Sequence, residues 1–163
     1  MPHLVYIVLG SNMGNSKENL ANACHKIGQH IGQITRFSSL YQTAAWGNTE
    51  QNEFINQVIL VQTELSAQET LTALLGIEKE MGRTRNKKWE PRIIDLDILF
   101  YDTLQVNEPN LIIPHPHLQD RRFTLIPLVE IAPSFVHPAL IKTMAELLAT
   151  CTDLLEVEKL GEN

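Results

Sequence analysis

The stretch Trp89-Glu90-Pro91-Arg92-Ile93-Ile94-Asp95-Leu96-Asp97-Ile98-Leu99-Phe100-Tyr101 does most to decide how this chain folds. From Ile93 onward it is rich in β-branched and large apolar residues, Pro91 fixes the entry, and no glycine interrupts it. That composition predicts a buried, central strand. Side chains alternate along a strand, so Asp95 and Asp97 share one face while Ile94, Leu96, Ile98 and Phe100 take the other. Two carboxylates about 7 Å apart at Cα repel each other and lose solvation in an apolar run unless a positive charge compensates. Hard oxygen ligands at neighbouring same-face positions suit Mg²⁺, which keeps several waters and shares its shell with substrate phosphates.

A bare D-x-D is equally at home on the wet face of an edge strand. What sets this one apart is the segment before it: Arg83, Arg85, Lys87, Lys88 and Arg92 bring together five of the chain's 13 Lys and Arg residues. Arginines and lysines for phosphate oxygens, leading into aspartates for a bridging ion, are what a polyphosphate substrate needs. The bland alternative is a solvated charge run making salt bridges.

The rest of the composition narrows the class. At 163 residues the chain reads as one domain, 1–163, with 44% hydrophobic and 20% charged residues, ordinary values for a globular protein. A formal charge of −6 opposes general binding to nucleic acid or an anionic membrane. Neither a basic leader nor an apolar run of about 20 residues is evident, so a cytoplasmic location is expected. Cys24 and Cys151, far apart, read as buried thiols.

Leu4–Leu9 reads as a strand apolar on both faces, followed by the small-residue turn Gly10-Ser11-Asn12-Met13-Gly14-Asn15 with Asn15 or Ser16 as helix cap. Helical spacing runs from Lys17 to His30, closed by Gly32. Ile34–Trp46 and Phe54–Thr63 read as strands joined by a polar loop from Gly47 to Asn52. Ser66 with Glu69 forms a capping box for a helix reaching Met81, with Glu78 beside its apolar stripe. Strand, helix, strand, strand, helix, strand predicts an α+β, ferredoxin-like (βαββαβ) antiparallel sheet with helices packed on it. A small hairpin at 104–113, helices at 123–131 and 143–151, and a fraying tail from Asp153 complete the reading. His115 and His117 lack further soft ligands for zinc and suit hydrogen bonding to phosphate, with Arg121 nearby.

Several segments together resemble one family. They are Gly10-Ser11-Asn12, Gly82-Arg83-Thr84-Arg85, Lys88-Trp89-Glu90-Pro91-Arg92-Ile93-Ile94-Asp95-Leu96-Asp97-Ile98-Leu99, Ile113-Pro114-His115-Pro116-His117 with Arg121 and Phe123, and Pro127-Leu128-Val129-Glu130-Ile131-Ala132-Pro133. The chain resembles the 6-hydroxymethyl-7,8-dihydropterin pyrophosphokinase family of folate biosynthesis over nearly its whole length. The resemblance implies an ATP- and Mg²⁺-dependent diphosphotransferase that moves the β,γ-diphosphate of ATP to the pterin hydroxymethyl group and releases AMP. It further implies Asp95 and Asp97 as ligands of two Mg²⁺ ions, with Arg83 and Arg92 sharing the catalytic work. Glu78, Arg83, Arg85, Lys88, Trp89, Arg92, Ile98, His115 and Arg121 are then the expected ATP contacts. Thr43, Ala44, Trp46, Phe54, Asn56, Trp89, Asp95 and Phe123 are the expected pterin contacts, with Phe54 and Phe123 sandwiching the ring and Asn56 offering a donor and an acceptor to its edge.

The chain departs from the family at four positions. Ala44 stands where proline is common, Phe54 where tyrosine is frequent, and Leu75 and Asn110 where other members can carry Gln and Arg. A metal-dependent phosphodiesterase and a ferredoxin-like RNA-binding module are the rivals; the second lacks the basic sheet and patterned aromatics it needs. A monomer or weak homodimer is expected.

Overall fold

Strand β1 (His3–Ser11) runs between β4 (Phe54–Thr63) and β5 (Asp95–Tyr101) in a six-stranded sheet. Beyond β4, strands β2 (Gly32–Phe37) and β3 (Tyr41–Thr43) pair with successive parts of it, and β8 (Val157–Lys159) closes against β3. The pairings are antiparallel. Strands β6 (Val106–Glu108) and β7 (Leu111–Ile113) form a separate hairpin. This computed structural model describes residues 2–43, 53–82 and 93–161.

Helices cover both faces. Leu20, Ala23 and Ile27 of α1 (Ser16–His30) and Leu74 and Ile77 of α2 (Ala67–Glu80) pack on Val5, Ile7, Leu9, Ile59, Val61, Leu96 and Ile98. On the opposite face, Leu125, Leu128 and Ile131 of α3 (Arg122–Ile131) and Met144 and Leu147 of α4 (Met144–Thr150) pack on Tyr6, Val58, Leu60, Leu99 and Phe100. Local signals place the helix ends: Asn15 caps α1 by accepting from the Glu18 amide, and Ser66 and Glu69 exchange both bonds of a capping box at α2. Among the described residues, no helix is long and apolar enough to cross a membrane.

Five readings of the sequence need correction. Among the described residues, strand β5 lies at the sheet edge, paired with β1 alone, rather than in the centre. Its outer edge is satisfied instead by side-chain and loop groups: Leu96 N–H donates to Glu78 Oε2 at 2.8 Å, and Leu99 C=O accepts from His115 N–H at 3.0 Å. Phe100 does not follow Leu96 and Ile98, because a register shift between Tyr6 and Ile7 leaves Leu99 as an extra residue and turns Phe100 toward α3 and α4. The stretch Ile34–Trp46 is divided at Ser38, whose N–H donates to Val58 C=O and whose hydroxyl accepts from Val58 N–H.

Gly32 opens β2 rather than closing α1, and a Cβ there would sit 1.8 Å from the Gln62 carbonyl oxygen, so only glycine lets the two backbones approach. The tail does not fray from Asp153; it returns as β8.

Candidate functional site

Along the face of the sheet on which α3 and α4 pack, two rows of paired residues cross β5, β1 and β4. Asp97 pairs with Val8, which pairs with Val58; Asp95 pairs with Gly10, Gly10 with Asn56, and Asn56 with Tyr41. Leu96 and Ile98 point into the α1/α2 core, so Asp95 and Asp97 project together from the other face, as their spacing predicts. Adjacent strands are about 4.8 Å apart, so Asp95 and Asn56 face each other across a floor that carries no side chain.

Gly10 makes that floor possible. A Cβ there would stand 2.7 Å from Asn56 Oδ1 and 3.8 Å from Phe54 Cδ1, so the carboxamide and the aromatic ring lie over the glycine. Thr43, paired with Phe54 and 3% exposed, accepts from Asn56 Nδ2 at 3.4 Å. The structure thus brings Thr43, Phe54 and Asn56 together beside Asp95. By sequence Gly10 reads as part of a connecting turn; its position at the end of an apolar strand is the signal for its role here. Gly10→Ala is expected to displace the Asn56 side chain and raise KM for the ligand it contacts about tenfold, with little change in melting temperature. An unchanged KM in steady-state assays would count against this arrangement.

The segment after β7 supplies the basic side. His115 is anchored through its own N–H on Leu99, two residues beyond Asp97, and its Nδ1 accepts from His117 N–H at 3.2 Å. An accepting Nδ1 puts the neutral ring's proton on Nε2, which is then a donor. Arg121 lies 5.7 Å from the centroid of the Phe123 ring. Burial first, then the Arg121 charge and His117, push the His115 pKa down to about 4 against the pull of Asp95.

The unfolded chain takes up this proton near pH 6.5 and the folded chain only near 4, so the His115 contribution to stability is present above 6.5 and is lost as pH falls toward 4. NMR titration of the His115 ring is expected to show no midpoint between pH 8 and 5. A midpoint near 6.5 would contradict the geometry.

Two of the residues expected to contact nucleotide turn their side chains into the α1/α2 core. Glu78 is 2% exposed on the α2 side, with its carboxylate on the Leu96 amide, and Ile98 is 5% exposed in the same core. Neither presents its side chain to the face of Asp95 and Asp97, because strand alternation and the α2 packing send both the other way. Leu75 is exposed on α2, and Asn110 exchanges side-chain hydrogen bonds with Gln68. Arg83, Arg85, Lys88, Trp89, Arg92, Ala44 and Trp46 lie outside the described residues. Among the described residues, no group of three or more His, Cys, Asp or Glu side chains is placed to hold a metal. Two carboxylates on one strand face are, by their chemistry, suited to an ion that completes its shell from water and a ligand's oxygens.

Comparison with protein-family models matches residues 6–133 to 7,8-dihydro-6-hydroxymethylpterin-pyrophosphokinase (HPPK). The chain belongs to the HPPK family. It is 39% identical over 132 residues to the 2-amino-4-hydroxy-6-hydroxymethyldihydropteridine pyrophosphokinase of Methylorubrum extorquens, covering 80% of this chain and 84% of that one. The enzyme of the same name from Aquifex aeolicus is 39% identical over 142 residues, 87% of this chain and 88% of the other. Among solved structures, wild-type Plasmodium falciparum HPPK-DHPS with pteroate superposes with a TM-score of 0.76 at 17% identity, over 91% of this chain and 44% of that one. This chain thus spans less than half of the HPPK-DHPS chain it matches, and at that identity the likeness concerns the fold. The HPPK match stops at Pro133, so α4 and β8 fall beyond it.

Proposed function

We propose that this chain transfers the β,γ-diphosphate of ATP to the hydroxymethyl group of 6-hydroxymethyl-7,8-dihydropterin, giving the pterin diphosphate and AMP in folate biosynthesis. The observation that carries the reading is one sheet face on which Asp95 and Asp97 stand beside the Thr43, Phe54 and Asn56 cluster, with His115 and Arg121 adjoining. Strand order β5-β1-β4-β2, with α1 and α2 together on one face, is taken as a ferredoxin-like core extended by β3 and β8.

In this account Asn56 and Thr43 recognise the edge of the pterin, and Phe54 and Phe123 meet its faces. His115, through Nε2–H, and Arg121 hold phosphate oxygens, and the cationic segment with Arg83 and Arg92 adds further charge. The hydroxyl oxygen would bond to the β-phosphorus as its proton passes to solvent, while the bond from that phosphorus to the α,β-bridging oxygen breaks and the oxygen leaves with AMP. Asp95 and Asp97 would hold Mg²⁺, two ions by the family resemblance, which supplies charge neutralisation and lowers the pKa of a bound hydroxyl. Positioning and charge neutralisation are what such a transfer demands of the protein, without a covalent nucleophile.

Neither the phosphodiesterase nor the RNA-binding alternative is favoured by family membership. The test is to incubate purified protein with Mg²⁺, ATP and the pterin alcohol and separate the products. AMP and pterin diphosphate are expected in equal amounts; AMP formed equally without pterin would contradict the reading.

A further inference from the structure

Strand β3 carries Thr43 at its end and is only three residues long, with one side on β4 and the other on β8. Tyr41, Gln42 and Thr43 pair with Lys159, Glu158 and Val157, and Leu160 N–H donates to Leu40 C=O at 2.9 Å. A side-chain knot reinforces the joint. Glu130 of α3 accepts from Ser39 N–H at 2.7 Å, from the Ser39 hydroxyl at 2.6 Å and from the Tyr41 hydroxyl at 3.1 Å, and Lys159 Nζ lies 3.6 Å from its other oxygen.

The same tail reaches the start of α3. Helix α3 starts at Arg122 with no cap from its own N-terminal residue, and Asp153 Oδ2 accepts from the Arg122 N–H at 3.0 Å. Asp153 Oδ1 meanwhile accepts from Leu155 N–H at 3.0 Å, fixing the tail's turn toward β3. The carboxylate thus does the work of an N-cap from outside the helix, at the turn that presents Arg121 and Phe123.

We infer that residues Asp153 to Leu160 form a clamp that positions both walls of the pterin pocket, Thr43 through β8 and Phe123 through Asp153, and so sets affinity for the pterin. The inference rests on the pocket assigned under the proposed function. Asp153 is a positioning residue in it, acting through the start of α3. The clamp lies beyond the family-model match, which ends at Pro133.

The experiment compares four proteins by steady-state kinetics with ATP and the pterin alcohol varied separately: the full chain, a chain ending at Glu156, Asp153→Ala and Asn56→Ala. The shortened chain is expected to melt cooperatively, with KM for pterin raised about tenfold and kcat and KM for ATP within about twofold. Asp153→Ala should also raise KM for pterin, and Asp153→Asn, which keeps an acceptor oxygen, should restore most of it. If the shortened chain does not fold, the pair Asp153→Ala and Asp153→Asn decides. An unchanged pterin KM in the shortened chain beside a raised one in Asn56→Ala overturns the clamp and leaves the pocket standing. No effect in Asn56→Ala overturns the pocket and the clamp with it. An equal rise in both KM values also overturns the clamp, because general loosening would explain it.

Discussion

Asp97→Ala is expected to lower kcat about a thousandfold or more while the protein still folds and melts within a few degrees of the unaltered chain. Asp97 projects from β5 away from the α1/α2 core, so truncating it leaves no cavity in that core. Its pairing with Val8 is a backbone matter and survives the change. What is lost is half of a carboxylate pair, and one remaining aspartate cannot both attract the cation and fix its position against phosphate oxygens. Single-turnover assays alongside thermal melts check this. Near-normal turnover, or loss of turnover only together with loss of fold, would show that Asp97 has no part in the chemistry.

Glu78→Ala is expected to have the next largest effect, this time on both stability and activity. Glu78 is buried, and its carboxylate accepts the Leu96 amide on the open edge of β5. Removing it leaves a buried N–H without that acceptor, a cost of about 1–3 kcal/mol. Leu96 sits between Asp95 and Asp97, so slack at its amide reaches both carboxylates, and kcat should fall with stability. Glu78→Gln keeps an acceptor oxygen and should recover a large part of both losses. Denaturant unfolding and kinetics on the two variants decide; an Ala variant as stable as the original chain would rule out this anchoring.

Which features could be read from sequence follows from the range over which each is determined. The Ser66/Glu69 capping box, the ten-residue β4 and the shared face of Asp95 and Asp97 depend on residues within one turn or one strand, and each is present. The orientation of Phe100 depends on a bulge at Leu99, which exists only because of how β1 pairs with β5. Glu78, beside an apolar stripe, reads equally as a surface or a site residue; that its carboxylate takes the Leu96 amide follows only from the place of β5 in the sheet. The tail is short and polar, and nothing in its own sequence announces that β3 offers it an edge to pair with. Gly10 is similar: the need for glycine comes from Asn56, 46 positions away in the chain and directly across the sheet.

The central claim is that the Asp95/Asp97 carboxylates, through bound cations, hold the phosphates of ATP against the hydroxyl of a pterin seated by Asn56. Its most direct test is a crystal structure of the protein with Mg²⁺, a non-hydrolysable ATP analogue and the pterin alcohol. The account predicts metal density between the two carboxylates and the β- and γ-phosphates, with the pterin edge hydrogen-bonded to Asn56 and its hydroxyl directed at the β-phosphorus. Phosphates bound away from Asp95 and Asp97, or a pterin that leaves Asn56 and Thr43 untouched, would contradict it.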